Sequence, residues 1–191
     1  MKTILGIDPG FAATGYGVIT HDGRTIRHVA HGVIRTDNSA TPGKRLLMIF
    51  DAISDVIHKH GPDEAGVETL YFAKNASSAL PVAQARGVVL LALARSGITA
   101  AEYPPQAIKQ AIVGQGRADK DQVQNLIRML LGLAEIPRPD HAADALGAAI
   151  CHANTGPFHE KTTLRDADHD KIGQCKIGQC KIGRRTVGGS A

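Results

Sequence analysis

Tryptophan is absent from this 191-residue chain, and only three tyrosines and four phenylalanines are present. Large aromatic anchors therefore cannot dominate the core, which must be filled by Ala, Val, Leu and Ile. Cysteine is scarce as well. Cys175 and Cys180 lie far down the chain and only Cys151 lies before them, so no disulfide framework is implied and a reducing compartment is expected. No run approaches the roughly 18 consecutive apolar residues of a membrane span. No long apolar run follows Lys2 as in a secretory leader, so the expectation is a cytoplasmic chain with no membrane partner. Nor is charge in excess. At 21% charged residues, the body is not a disordered polyelectrolyte.

What is present fits one compact domain with a tail. The formal net charge is +4, which suggests an anionic partner, but its distribution matters. Residues 1–155 hold 15 Lys and Arg against 14 Asp and Glu, whereas residues 156–191 hold 7 against 4. Binding of nucleic acid by the body therefore requires segregation in space, with acids in one cleft and bases around it.

Thr3–Asp8 reads as a buried strand ending on a carboxylate, followed by the turn signal Asp8-Pro9-Gly10. Thr14–Thr20 is a second strand, His21-Asp22-Gly23 a hairpin turn, and Arg24–Arg35 a half-exposed third strand. Pro42 opens a helix whose apolar residues recur from Leu46 to Ile57, and Gly61-Pro62 stops it. Glu64–Glu68 is a short strand, again ending on a carboxylate. Leu70–Ser78 reads as a loop, then a long apolar helix runs to about Arg95. Ile98–Tyr103 is a fifth strand broken by Pro104-Pro105. A short helix, the turn 114–117, an amphipathic helix over Lys120–Leu133 and a small-residue helix over His141–Ala153 complete the body. That last helix should pack tightly on something flat. This order, a three-strand meander followed by strands alternating with helices, predicts an α/β fold, with a mixed five-stranded sheet flanked by helices on both faces. It is the order of the RNase H-like fold. Residues 156–191 are polar and repeat Lys-Ile-Gly-Gln-Cys, and read as a disordered tail. The Cys175/Cys180 spacing, half a zinc site at most, lacks a second pair.

The acids carry the chemistry. Asp8 and Glu68 each end a strand, and side chains from neighbouring strand ends converge over one edge. Converging carboxylates repel and call for a cation, and hard divalent ions take oxygen ligands while leaving room for phosphate. Pro139-Asp140-His141-Ala-Ala-Asp144 adds a third group. His141 and Asp144 are i, i+3, and Asp140 and Asp144 are i, i+4, so either pair can share a helix face. The preferred reading makes Asp140 a helix N-cap, its carboxylate on a backbone N–H one turn in. Singly, each acid has a plain structural explanation, and the argument rests on the set.

Basic and aromatic residues surround it. Tyr71, Phe72, Lys74 and Asn75 follow Glu68, a composition suited to stacking on bases and meeting phosphates. One of the two rings is expected in the core. Lys109, Arg117 and Lys120 lie around the 114–117 turn as candidate phosphate contacts. Arg86 reads as a structural or dimer-face residue.

Over residues 1–155 the sequence resembles the bacterial RuvC family. The matching segments are Gly6-Ile-Asp-Pro-Gly10, Thr14-Gly-Tyr-Gly-Val18, Glu68 with Ala73-Lys74-Asn75-Ala76 and Ser78-Ala-Leu80, Gln84-Ala-Arg-Gly87, Lys109-Gln110, Val113-Gly114, Lys120 with Gln122-Val123, and Ala142-Ala-Asp-Ala-Leu146. The resemblance implies a homodimer acting on four-way junction DNA. It implies paired symmetric nicks leaving 5′-phosphate and 3′-hydroxyl ends, with Mg²⁺ or Mn²⁺, two ions per site, and the RuvA–RuvB branch-migration complex as partner. It places Asp8, Glu68 and Asp144 at metal-ligand positions, Tyr71 at a base-stacking position, and Lys109 and Lys120 at DNA contacts. His141 stands where many members have aspartate. An imidazole there can bind a metal or carry a proton near the attacking water. Two competing readings are an actin-like ATPase, since Gly-Ile-Asp-Pro-Gly also opens phosphate loops, and a non-catalytic junction binder. A third is an RNase H-like enzyme acting on RNA.

Overall fold

The computed structural model describes residues 1–69, 76–114 and 118–163, with side chains from 79 to 155 outside 115–117 and throughout 1–69. The chain divides into two compact units, Met1–Pro157 and Phe158–Ala191, and the architecture below is that of the first.

Five strands form one sheet in the order β3-β2-β1-β4-β5. Strands β1 (Lys2–Asp8), β2 (Ala13–His21) and β3 (Ile26–Arg35) are an antiparallel meander. Strands β4 (Glu64–Glu68) and β5 (Thr99–Tyr103) add on parallel to β1. Side chains alternate across the sheet. Leu5 and Ile7 of β1 and Ala65 and Val67 of β4 point to one core, where α1 (Pro42–His60) and α2 (Ala76–Arg95) cover them. Ile4 of β1 and Tyr103 of β5 point to a second core under α3 (Pro105–Val113), α4 (Lys120–Leu130) and α5 (Asp140–Thr163). The mixed sheet with helices on both faces is as the sequence predicts.

The helix ends follow from local chemistry. Pro42 stands in the first turn of α1, Ile49, Ile53 and Ile57 bury one stripe, and Gly61 closes it at φ 54° with its N–H on the Ile57 carbonyl. Asp119 caps α4 by accepting the Gln122 N–H at 2.8 Å. Gly132, at φ 63°, follows the end of α4 at Leu130, so that helix is three residues shorter than predicted. Helix α2 begins at Ala76, inside the segment read as loop. Helix α5 runs well past Ala153. The sequence predicts a disordered tail from residue 156, but α5 continues the backbone as helix to Thr163; the rest of that tail, 164–191 with Cys175 and Cys180, lies outside the described residues. Among the described residues no helix is long and apolar enough to cross a membrane.

Helix α5 lies on the sheet at backbone distance. A Cβ on Gly6 would stand 2.0 Å from the Ala145 carbonyl oxygen, and one on Gly66 would stand 2.7 Å from that of Ala148. Glycines on β1 and β4 thus leave the groove into which the alanine-rich helix settles, as the small-residue pattern anticipates.

Candidate active site

The register brings the two strand-end acids side by side. Ile7 pairs with Val67 in the parallel β1–β4 ladder, so Asp8 and Glu68 emerge together at the carboxyl edge. They share a face with Gly6 and Gly66, the face that α5 covers. Asp8 also pairs with Gly15 of β2. A Cβ on Gly15 would stand 1.9 Å from the His141 carbonyl oxygen, so that glycine admits the start of α5 directly over Asp8. The turn after Asp8 is tied by Thr14, whose buried hydroxyl donates to the Gly10 carbonyl at 2.7 Å.

Four sequence-chosen residues therefore gather at one edge. His141 Nδ1 lies 2.7 Å from Asp8 Oδ2. This hydrogen bond, with the nearby charge of Asp144, raises the imidazole above its ordinary range. Glu68 is pushed up to about 8, first by burial and then by the charges of Asp8 and Asp144. Asp144 is raised too, mainly by burial, against the pull of Lys120. Lys120 Nζ stands 2.9 Å from Asp140 Oδ2 and 3.9 Å from Asp144 Oδ2, and its hydrogen bond to Asp140 raises it. Asp8 is thus engaged by His141 and Asp140 by Lys120. Among the described residues no three His, Cys, Asp or Glu side chains converge as a ready-formed metal cluster. The donor set nonetheless fits a hard cation: three carboxylates and an imidazole, with the Glu68 carboxyl raised by burial and then by the charges of Asp8 and Asp144.

Beside the acids lies a cavity of about 220 Å³ lined by Glu68, Asp144, Lys109 and Lys120, with Ile108 and Ile127 among its apolar walls. Lys109 Nζ also donates to the Ala118 carbonyl at 3.3 Å. Two lysines and two acids line this one cavity, so acids and bases are interleaved here rather than segregated.

One expectation changes. Asp140 does not act as an N-cap: it is the first residue of α5, and its carboxylate turns sideways to Lys120 and Gln124. A strong donor from α4 outcompetes the local backbone N–H. Arg86 pairs with Glu102 and ties α2 to β5, a contact that fits the structural reading given for it. Tyr71, Phe72, Lys74, Asn75 and Arg117 lie outside the described residues. Sequence reasoning missed a second polar centre on the same face. His152 is buried, with Nδ1 2.8 Å from the Tyr103 hydroxyl and Nε2 3.0 Å from Glu64 Oε2. Glu64 also pairs with Lys2. The signal was available: Glu64 is i−4 from Glu68 on a strand, and His152 lies three helical turns beyond His141.

Comparison with known proteins agrees with this geometry. A family described as "Crossover junction endodeoxyribonuclease RuvC" matches residues 4–152. The crossover junction endodeoxyribonuclease RuvC of Treponema denticola is 54% identical over 157 residues, covering 82% of this chain and 88% of the relative. The solved structure of Thermus thermophilus RuvC in complex with Holliday junction substrate is 34% identical, with a TM-score of 0.80 over 83% of this chain and 97% of the other. The yeast mitochondrial Holliday junction resolvase, 13% identical, has a TM-score of 0.57 and shares the fold, covering 86% of this chain and 85% of its own. With its carboxylates on adjacent strand ends and its whole folded body matched, the chain belongs to the RuvC family of crossover junction endodeoxyribonucleases.

Proposed function

We propose that this chain resolves four-way DNA junctions by metal-dependent phosphodiester hydrolysis, leaving 5′-phosphate and 3′-hydroxyl ends. The carrying observation is Glu68. A half-buried carboxyl at a strand end, lining the cavity and pushed up to about 8 beside two further acids, is poorly satisfied by the protein alone, and a divalent cation relieves it. Asp8, Glu68, Asp144 and His141 would hold Mg²⁺ or Mn²⁺, two ions per site. When bound, such ions stabilise the attacking and leaving oxygens of an in-line displacement. His141 keeps Nδ1 on Asp8, which leaves Nε2 to meet a cation or move a proton at the attacking water. Lys109 and Lys120 meet the DNA backbone at the cavity mouth, and Tyr71, Phe72, Lys74, Asn75 and Arg117 extend that contact.

A homodimer would present two such sites to the two strands it nicks. Its support is the pair Leu80 and Leu91 on α2, three helical turns apart on one side and exposed among the described residues. The nuclease domain spans 1–155, the tail 156–191 follows it, and the RuvA–RuvB complex delivers the junction in the cytoplasm. The ATPase reading is not favoured, since the RuvC match runs through the whole body. The binder reading fares no better, since all three acids reach one edge.

Incubation with a labelled mobile junction and Mg²⁺ or Mn²⁺, beside linear duplex of the same sequence, tests the proposal. Symmetric nicks confined to the junction are expected. Binding without cleavage under either metal overturns it in favour of the binder, and binding should weaken steeply with salt as counterions are released.

A further inference from the structure

Asp140 opens α5 with its carboxylate turned onto α4. Lys120 and Gln124 are i, i+4 on α4 and share a face. Lys120 Nζ donates to Asp140 Oδ2 at 2.9 Å, and Gln124 Nε2 donates to Oδ1 at 3.2 Å. One helix face thus engages both oxygens of one carboxylate. The same ammonium stands 3.9 Å from Asp144 Oδ2, outside hydrogen-bond reach but within strong Coulomb attraction.

This arrangement is a poor stabilising device. The Lys120 and Asp140 side chains are each 53% exposed, and exposed pairs contribute little. Gln124 is only 5% exposed. A nearly buried amide committed to an exposed carboxylate fixes direction rather than adding strength. What it directs is Lys120, which lines the cavity shared by Glu68 and Asp144.

We propose that Asp140, braced by Gln124, is a positioning residue that holds the Lys120 ammonium off Asp144. Asp144 is thereby left to accept a divalent cation, and Lys120 stays at the cavity mouth for a DNA phosphate. This rests on the metal-dependent reading above. Without the Asp140 charge, Asp144 is the nearest acid Lys120 meets, and the ammonium then competes with the cation for it.

The full chain, stripped of metal and titrated with Mn²⁺ alone, provides the test, with free ion counted by electron paramagnetic resonance and no DNA present. Asp140→Asn keeps the side-chain shape. It should weaken Mn²⁺ binding about tenfold, the usual size of an outer-shell effect. Lys120→Met in the Asp140→Asn background should restore binding to within about twofold of Lys120→Met alone, because the two changes act through one contact. Gln124→Leu should shift binding in the same direction by less. Thermal melting of metal-free Asp140→Asn should match the unaltered chain, which separates positioning from folding. Unchanged Mn²⁺ binding by Asp140→Asn overturns the clamp and leaves the nuclease reading standing. A loss that Lys120→Met does not relieve overturns it in favour of Asp140 as a direct ligand. No Mn²⁺ binding by the unaltered chain overturns the metal reading, and the clamp with it.

Discussion

Two histidine–carboxylate pairs sit under the same helix and behave in opposite ways. At the amino edge of β4, His152 is buried between Glu64 and Tyr103, and Lys2 pairs with Glu64. At the carboxyl edge, His141 joins Asp8, but Glu68 and Asp144 add two more acids. Glu64 is held below its usual range by Lys2 and His152 despite its burial, whereas Glu68, four residues on, is pushed up to about 8. Strand, face and residue type are shared, but Glu68 is the more deeply set and its neighbours are acids, whereas those of Glu64 are bases. A polar cluster that is fully compensated locks two elements together, while one left short of positive charge is a site for something else to bind.

The comparison breaks most sharply at Glu68. Glu68→Gln should lower junction cleavage by more than about 1,000-fold, a loss of roughly 4 kcal/mol of transition-state stabilisation, without unfolding the protein. Nicking rates beside thermal melts check both halves, and near-normal cleavage would remove Glu68 from the site. Gly6→Ala acts on both edges at once. Its Cβ would meet the Ala145 carbonyl at 2.0 Å, and the cost should be about 3 kcal/mol or more by denaturant unfolding. His152→Ala should cost about 2 kcal/mol through its lost hydrogen bonds. The junction-cleavage rate per folded molecule should barely move, and a selective loss of rate would join the two centres into one.

The pH dependence of metal-free stability sharpens the contrast further. Glu68 rises from an ordinary 4.5 to about 8 on folding, so the folded state holds its proton more tightly. Its contribution is therefore fully present below pH 4.5 and is lost as pH rises through 8, on the order of 1–2 kcal/mol after local relaxation. Melting curves of metal-free protein should show this slope, and Glu68→Gln should reduce it, leaving the smaller part that Asp144 and His141 contribute. Smallest of all, His141→Asp should keep cleavage within about tenfold while shifting the pH profile or the Mg²⁺/Mn²⁺ preference. Identical profiles for both forms would deny His141 any part in metal binding or proton transfer.

Much of this was legible in the residues. Carboxylates closing two apolar runs placed Asp8 and Glu68 at one sheet edge, because strand periodicity and parallel pairing leave few alternatives. The alanine run after His141 announced a helix lying close to a sheet. What escaped was tertiary. Asp140 looked like a cap because local hydrogen bonding is all that sequence spacing displays, and Lys120 and Gln124 reach it only once α4 and α5 pack. His152 and Tyr103 were hidden for the same reason, being 49 residues apart in the chain. The helix limits slipped where Gly132 ended α4 and where α2 began at Ala76, since neither boundary is marked by hydrophobic periodicity.

The glycine groove under α5 has a further consequence. Main-chain atoms that touch main-chain atoms have no rotamers to exchange. The gap between helix and sheet is then set by van der Waals radii alone, and it behaves as a fixed gauge between Asp8 on one side and Asp144 on the other. Leu, Ile and Val elsewhere in the two cores can drift over generations without resetting that gauge. The interior is free to evolve while the spacing on which chemistry depends stays the same.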